Sequence, residues 1–264
     1  MTFGTSSLVK LFLLAGLVSA SISGSAQQIT HDVPDSLIKK DSIHEIRLLI
    51  VPFNPSMYFS DADKDIAEVS KVEPGEVRNK VNASLEATVS SHLGLYYSAK
   101  SLSKQKDGGD DLDIIYGSIT YAPRVKAPET GEKKKPGLQG LREKIKPAEE
   151  VPEKQADPET YMDISFADGR LMDYIGSKYE VDYVVFFNQF EIITDYENCI
   201  DLQLRKYYRE IKVHYSVYGK DGKKISGDVI TIPYHSNEND IQIIVKENFG
   251  TLSSTLLQRI YLKK

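Results

Sequence analysis

Two short apolar runs constrain the fold of this chain more than any other feature of its sequence. The first is Arg47–Phe53, which reads RLLIVPF, and the second is Val181–Phe187, which reads VDYVVFF. Runs that are almost continuously aliphatic or aromatic are typical of strands that helices cover on both faces. We therefore expect both runs to be central strands of one sheet, with the second running on towards Ile192.

Three other segments carry the pattern of helices that would cover such a sheet. The segment 74–92 repeats an apolar residue at every fourth position and is followed by Gly94, a fitting stop. Asp168 is placed to cap a second helix that ends near Lys178. A third, long helix is predicted over 237–262, with an inner stripe made of Ile241, Ile244, Val245, Phe249, Leu252, Leu256 and Ile260.

Further strands complete the predicted sheet. Leu112–Tyr121 is interpreted as a strand, and residues 207–217 alternate as the first strand of a hairpin. Asp221 and Gly222 supply the turn, and 225–232 returns. In this alternation His214 falls on the face that we expect to be exposed. The fold class is therefore α/β, with a single mixed β-sheet packed by helices in one domain over residues 45–264.

A long charged, proline-rich insertion interrupts this domain at residues 123–160. It holds six of the eleven prolines and seventeen charged residues, so it is predicted to be disordered and solvated. One island within it has helical spacing and is a candidate partner-binding helix, the alternative being a transient helix without a partner. Its apolar residues are Leu138, Leu141 and Ile145.

The first 26 residues have the pattern of a secretory signal peptide. Lys10 precedes a short apolar run, 11–18, and small residues follow, so that cleavage would leave Ser21 or Gln27 as the mature start. The alternative is an uncleaved anchor. Residues 27–44 are interpreted as a flexible tether, and no transmembrane segment is expected after cleavage. The predicted location is periplasmic or secreted.

Composition excludes several classes of function. The formal net charge of -5 gives no basic field for nucleic acid, and a single cysteine excludes a disulfide framework or a cysteine-based zinc cage. Cys199 is expected to be buried, or alternatively to be a handle for dimerisation. The sequence contains no catalytic signature, no phosphate-binding glycine loop and no metal-ligating pair of histidines. We therefore predict no catalytic, cofactor-binding or metal-binding residues.

Three alternating aspartates, Asp61, Asp63 and Asp65, are the nearest approach to a metal site. Ile66 and Val72 stand where a calcium-binding loop of the EF-hand type needs glycine and a bidentate glutamate. The segment 54–65 is therefore interpreted as a solvated loop.

The best candidate for partner binding is the segment that follows the first strand. Met57, Tyr58 and Phe59 lie at the carboxyl end of that strand, where ligands of open α/β sheets gather. Aromatic and methionine side chains also suit a protein interface. The alternative is that Met57 and Phe59 fold back onto the edge of the sheet.

The order of these elements resembles that of the TolB amino-terminal-like fold. Arg47–Phe53 is similar to its strand-Pro-Phe opening, and Val181–Val185 to a later strand that begins Ala-Asp-Tyr-Val. The group includes the amino-terminal domain of TolB, outer-membrane activators of penicillin-binding proteins and the curli-secretion family. Two departures are the missing lipid-anchoring cysteine and an insertion without the pattern of a membrane-spanning hairpin.

The resemblance implies a non-catalytic envelope adaptor or scaffold in the periplasm that acts through contacts with other envelope proteins. Homo-oligomerisation stays open, and nucleic acid is not an expected partner. An exported hydrolase with an unrecognised carboxylate-based site, for example at Asp61 and Asp63, is the alternative. A glycan binder is a weaker third interpretation.

Overall fold

Two parallel strands, β1 (Arg47–Val51) and β6 (Tyr183–Asp201), lie side by side in the sheet as the apolar runs predict. The computed structural model describes residues 45–126, 160–201, 203, 206–260 and 262. All of them belong to one compact unit, Ile38–Lys264, and a second unit, Met1–Leu37, lies outside the described residues. The predicted signal peptide (1–26) and tether (27–44) also lie outside them.

Six strands form the main sheet, in the order β3-β1-β6-β7-β8, with β2 pairing to β6 beyond the end of β1. β2 (Tyr58–Ser60), β1 and β3 (Ser98–Ser101) run parallel to their neighbours. β7 (Lys206–Gly219) and β8 (Lys224–His235) continue antiparallel from β6. The sheet is therefore mixed, as predicted, and β6, β7 and β8 extend past the carboxyl end of β1.

Helices cover the first face of this sheet, to which Leu48 and Ile50 point. They are α1 (Asp63–Ser70), α2 (Pro74–Leu93) and α5 (Ile241–Arg259). The predicted stripe of α2 is buried, since Val77, Val81, Leu85 and Val89 each have at most 1% exposure. The predicted helices over 74–92 and 237–262 are confirmed as α2 and α5, whose regularly spaced apolar residues pack against the sheet.

The second face, to which Leu49 and Val51 point, is covered differently. Its layer consists of α3 (Gly108–Ser118), α4 (Arg170–Tyr179) and a two-stranded antiparallel ribbon. The ribbon pairs β4 (Ile119–Val125) with β5 (Thr160–Phe166). Asp168 accepts a hydrogen bond from the Arg170 amide, 2.9 Å away, at the start of α4.

The prediction of a strand over Leu112–Tyr121 is wrong, because α3 occupies most of it. Ile115 and Tyr116 follow Leu112 at spacings of three and four and pack on the same side, while Ile114 is half exposed. That spacing suits a helix, which the apparent alternation concealed. Gly108 is required at its start, since a Cβ there would lie 2.0 Å from the Leu102 carbonyl oxygen.

The predicted bounds of the insertion, 123–160, are also corrected at both ends. Pro123–Val125 belong to β4 and Thr160 to β5, where backbone pairing of the two strands holds them. Residues 127–159 lie outside the described residues. In the described part of the chain, no helix is long and apolar enough to cross a membrane. The α/β fold class with a mixed sheet packed by helices is thus confirmed.

Candidate functional site

The candidate partner-binding segment after β1 divides its side chains between the core and the solvent. Residues 54–65 are not the predicted loop, since they contain a 3-10 turn (Pro55–Met57), strand β2 and the start of α1. Met57 closes the turn and is partly buried. Successive residues of β2 point to opposite faces, so Tyr58 turns inward and Phe59 turns outward.

Tyr58 is a structural residue. Its ring stacks on Phe53 and Phe190, with centroid distances of 6.0 and 5.7 Å. Its hydroxyl donates a 2.5 Å hydrogen bond to the Asp63 carboxylate. Burial, reinforced by that carboxylate, raises the pKa of the Tyr58 phenol far above its ordinary value. Tyr58 therefore serves the core, and Phe59, which is 51% exposed, is the available aromatic of the segment.

Phe59 belongs to a larger exposed surface on the second face of the sheet. Phe59 pairs in register with Glu191 of β6, and Ile193 follows two positions later on the same face. Tyr208 and His235 pair across β7 and β8 on that face, and Pro233 lies opposite Glu210. We call this surface the open sheet face, and it consists of Phe59, Ile193, Tyr208, Pro233 and His235, all of them exposed.

The β4–β5 ribbon covers only the part of the second face that includes His214, and the rest of that face is left exposed. Along alternate residues of β7, the side-chain exposure rises from 7% at His214 to 32% at Lys212 and 41% at Glu210. Tyr208, the next residue in this series, is 46% exposed. The Lys212 ammonium and the Glu210 carboxylate lie 3.2 Å apart. The apolar side chains therefore flank a pair of charges that neutralise each other.

His214 is not exposed, so that prediction is wrong. Its Nδ1 accepts a 2.8 Å hydrogen bond from the Met162 amide of β5, and its Nε2 lies 3.0 Å from a Glu191 carboxylate oxygen. Because Nδ1 accepts from an amide, the hydrogen-bond pattern assigns the neutral tautomer, with Nε2 donating to Glu191. The ribbon, which contributes Met162, buries this side chain.

A β-bulge in β6 adds further polar contacts between the sheet and the ribbon. The pairing register shifts between Phe187 and Gln189. Asn188 there donates to the Met162 carbonyl oxygen and to Ser216, in both cases over 2.8 Å. Ser216 in turn donates to the buried carboxylate of Asp163. These bonds fix the ribbon, and hence the two ends of the insertion, on the sheet.

The three alternating aspartates each have a separate structural partner. Asp61 accepts bonds from the amide and hydroxyl of Thr194, at 2.9 and 2.8 Å. Asp63 accepts from Tyr58, and Asp65 lies 2.7 Å from a guanidinium nitrogen of Arg209. The segment is therefore not a loop, although Asp61 and Asp65 are exposed to solvent as predicted. Within the described residues, no group of three acidic, histidine or cysteine side chains could hold a metal ion.

The other residues singled out in the sequence do not join the open sheet face. Cys199 is partly buried rather than buried, and its thiol lies 3.5 Å from the Lys206 carbonyl oxygen. Leu138, Leu141 and Ile145 of the candidate partner-binding helix lie outside the described residues. Tyr208 lies on the hairpin face that the alternation predicts to be exposed, but no sequence pattern distinguishes Tyr208 or Ile193 as a binding residue.

Comparison of the chain with models of known protein families found no match. A search among curated proteins likewise found no significantly similar sequence.

Proposed function

We propose that this protein is an exported, non-catalytic adaptor of the cell envelope that binds an envelope protein through the open sheet face. The observation that carries the proposal is the exposure of Phe59, Ile193 and Tyr208 together on one uncovered part of a rigid sheet. Exposed apolar patches of this kind mark interaction sites, and aromatic residues are enriched in protein interfaces.

The rigidity of the surface supports this role. Phe59 lies on β2 next to Tyr58, whose ring and hydroxyl are fixed by Phe190 and Asp63. In the β6–β7 ladder, Ile193 pairs with Glu210 and Tyr208 pairs with Asp195, before the register shifts. A preorganised surface loses little conformational entropy on binding, which favours affinity from a modest contact area.

The charges of the surface favour a partner with an apolar patch. Glu210 and Lys212 pair with each other, and Glu191 accepts from His214. These groups lie between or beside the apolar residues and have their own partners. A partner that covers the open sheet face therefore need not supply a compensating charge, and apolar burial would dominate its binding.

The alternative of an exported hydrolase receives no support from Asp61 and Asp63. A general acid-base pair needs two carboxylates that face one reacting bond. Asp61 instead binds Thr194, and Asp63 binds Tyr58. The resemblance to the TolB amino-terminal-like group and the signal-like sequence of residues 1–26 favour the envelope adaptor.

Affinity capture from a solubilised envelope fraction tests the proposal. We expect Phe59→Asp and Ile193→Asp to lose a partner protein that the wild-type chain retains. Leu95→Asp is the matched control, because Leu95 is 67% exposed and precedes β3, at the other end of the sheet from Phe59. Recovery of the same proteins with all three variants would contradict the proposal.

Export is tested separately by fractionating cells that express the full chain. The mature protein should appear in the periplasmic or secreted fraction, with Ser21 or Gln27 as its first residue. A chain that keeps residues 1–26 and stays in the cytoplasm would contradict the export part of the proposal, whatever the capture experiment finds.

A further inference from the structure

A groove lies at the carboxyl ends of β1 and β3, separate from the open sheet face. α2 contributes Asn82 and Glu86 to one wall, and α3 contributes Asp113 and Tyr116 to the other. The volume is about 600 Å³. The carboxyl ends of parallel strands are where open α/β sheets bind ligands, and this volume lies in the range of small-molecule sites.

Two hydrogen-bond donors of these walls are used by the protein itself. The Tyr116 hydroxyl donates to the Pro52 carbonyl oxygen over 3.0 Å. The Asn82 side-chain amide donates to the Phe53 carbonyl oxygen over 3.3 Å. Both bonds satisfy backbone carbonyls where β1 ends, so the Tyr116 hydroxyl proton and one of the two Asn82 amide protons are used within the protein.

The acceptors, by contrast, have capacity left. Asn82 Oδ1 is fully buried and has no hydrogen-bond partner. Glu86 is only 4% exposed, and its carboxylate accepts from the amide and hydroxyl of Ser103, at 3.3 and 2.5 Å. Since a carboxylate has about four acceptor sites, Glu86 can take further donors. Asp113 is exposed and has no hydrogen-bond partner in the described part of the chain.

The groove is also electrostatically negative. Its described lining contains no lysine, arginine or histidine. Arg78 reaches one rim, where its guanidinium lies 3.5 Å from the Pro55 carbonyl oxygen. Burial raises the pKa of the Tyr116 phenol, and the nearby negative charges, including Glu86 and Asp113, raise it further. Both carboxylates thus act on the same part of the groove.

We propose that this groove binds an organic cation, an alkylammonium or guanidinium group, with Asn82, Glu86 and Asp113 as acceptors. Such a group carries several donors, a positive charge and no acceptor, which complements a site that has unused acceptors and two carboxylates. Apolar surface from Leu112 and Tyr116 would cover its methylene stem. The cation can belong to a lysine or arginine side chain of another protein or to a free amine.

Titration of the isotope-labelled exported chain with small cations tests the proposal. The probes are N-acetyl-arginine amide, N-acetyl-lysine amide and spermidine, with N-acetyl-citrulline amide as the uncharged analogue of arginine. We expect at least one cation to shift the amide resonances of Glu86, Ser103 and Leu112, and the citrulline compound to leave them unchanged. Binding of the amino-acid amides would indicate a protein side chain as the source, and binding of spermidine alone a free amine.

Two substitutions assign the binding to the groove. Asp113→Asn, on an exposed residue, and Glu86→Gln should each weaken the affinity about tenfold, the usual loss for one charge-assisted hydrogen bond. Asp110→Asn is the control, because Asp110 is an exposed acid on the same helix outside the groove lining. Absence of shifts with every cation, an equal response to citrulline, or equal weakening by Asp110→Asn and Asp113→Asn would overturn the proposal. None of these outcomes depends on the open sheet face.

Discussion

The two faces of the extended β6–β8 strands differ in how their side chains are held. On the covered face, Arg209 is 3% exposed and binds Thr194, Asn239 and Asp65 at 2.9, 2.5 and 2.7 Å. On the open sheet face, Phe59 and Ile193 lie exposed. The same strands therefore supply a fixed support on one side and a free apolar surface on the other.

Replacing an aromatic side chain on each face should give the largest difference in the free energy of unfolding. Phe190→Ala removes a buried ring that stacks on Phe53 and Tyr58, and it should lower the free energy of unfolding by about 3–5 kcal/mol. Phe59→Ala should change it by less than about 0.5 kcal/mol, because the ring is half exposed. Urea denaturation measures both, and similar losses would show that Phe59 belongs to the core.

Replacing a positively charged side chain on each face should give a smaller difference in the free energy of unfolding. Arg209→Met leaves Thr194, Asn239 and Asp65 without their shared partner, and we expect a loss of about 2–3 kcal/mol in the free energy of unfolding. Lys212→Met removes a surface ion pair and should cost less than about 1 kcal/mol. Thermal and urea denaturation would refute the distinction if the two variants were equally stable.

Lowering the pH should change the free energy of unfolding by a still smaller amount through Glu191, which lies beside the buried His214. Burial acts to raise the pKa of Glu191, but His214, Gln189 and Lys212 outweigh it, so that pKa lies below its ordinary value. A lowered pKa in the folded state gives stability that is present above about pH 4.3 and is lost as the pH falls further. The free energy of unfolding of Glu191→Gln should therefore fall less than that of the wild type between pH 6 and pH 3.

The control for this pH series is Glu210→Gln, which removes a carboxylate that is 41% exposed on β7. The comparison separates an effect of the contacts of Glu191 from a general effect of removing one carboxylate from β6 or β7. If Glu191→Gln kept the acid response of the wild type, the contacts of Glu191 with His214 and Gln189 would carry no pH-dependent stability.

Local patterns predicted the elements whose burial depends on near neighbours in sequence. The apolar stripe of α2 and the continuous apolar run of β1 predicted both elements correctly. The apolar pattern of a helix or of a central strand lies within the segment itself and does not depend on which element packs against it. The error at Leu112–Tyr121 came from a short segment in which helical spacing and alternation coincide. The burial of His214 depends on Met162, 52 residues away, so alternation alone gave the wrong face.

The candidate site shows the same division. Phe59 was identified because it follows a strand, but Tyr58 was grouped with it although its ring lies against Phe190. Asp65 is exposed as predicted, but its ion pair with Arg209 could not be predicted because the two residues are 144 positions apart. The donors and acceptors of the groove come from β1, α2 and α3 together, so no sequence pattern could have revealed it.

Photo-cross-linking in intact cells tests the central claim, that the open sheet face is the contact surface, most directly. A photoreactive phenylalanine analogue replaces Phe59 in one chain and Leu95 in another, and cross-linked proteins are identified by mass spectrometry. We predict that position 59 forms a discrete adduct with an envelope protein, lost when Ile193→Asp is added, and that position 95 does not. The same adducts from both positions, or no adduct at 59, would contradict the account.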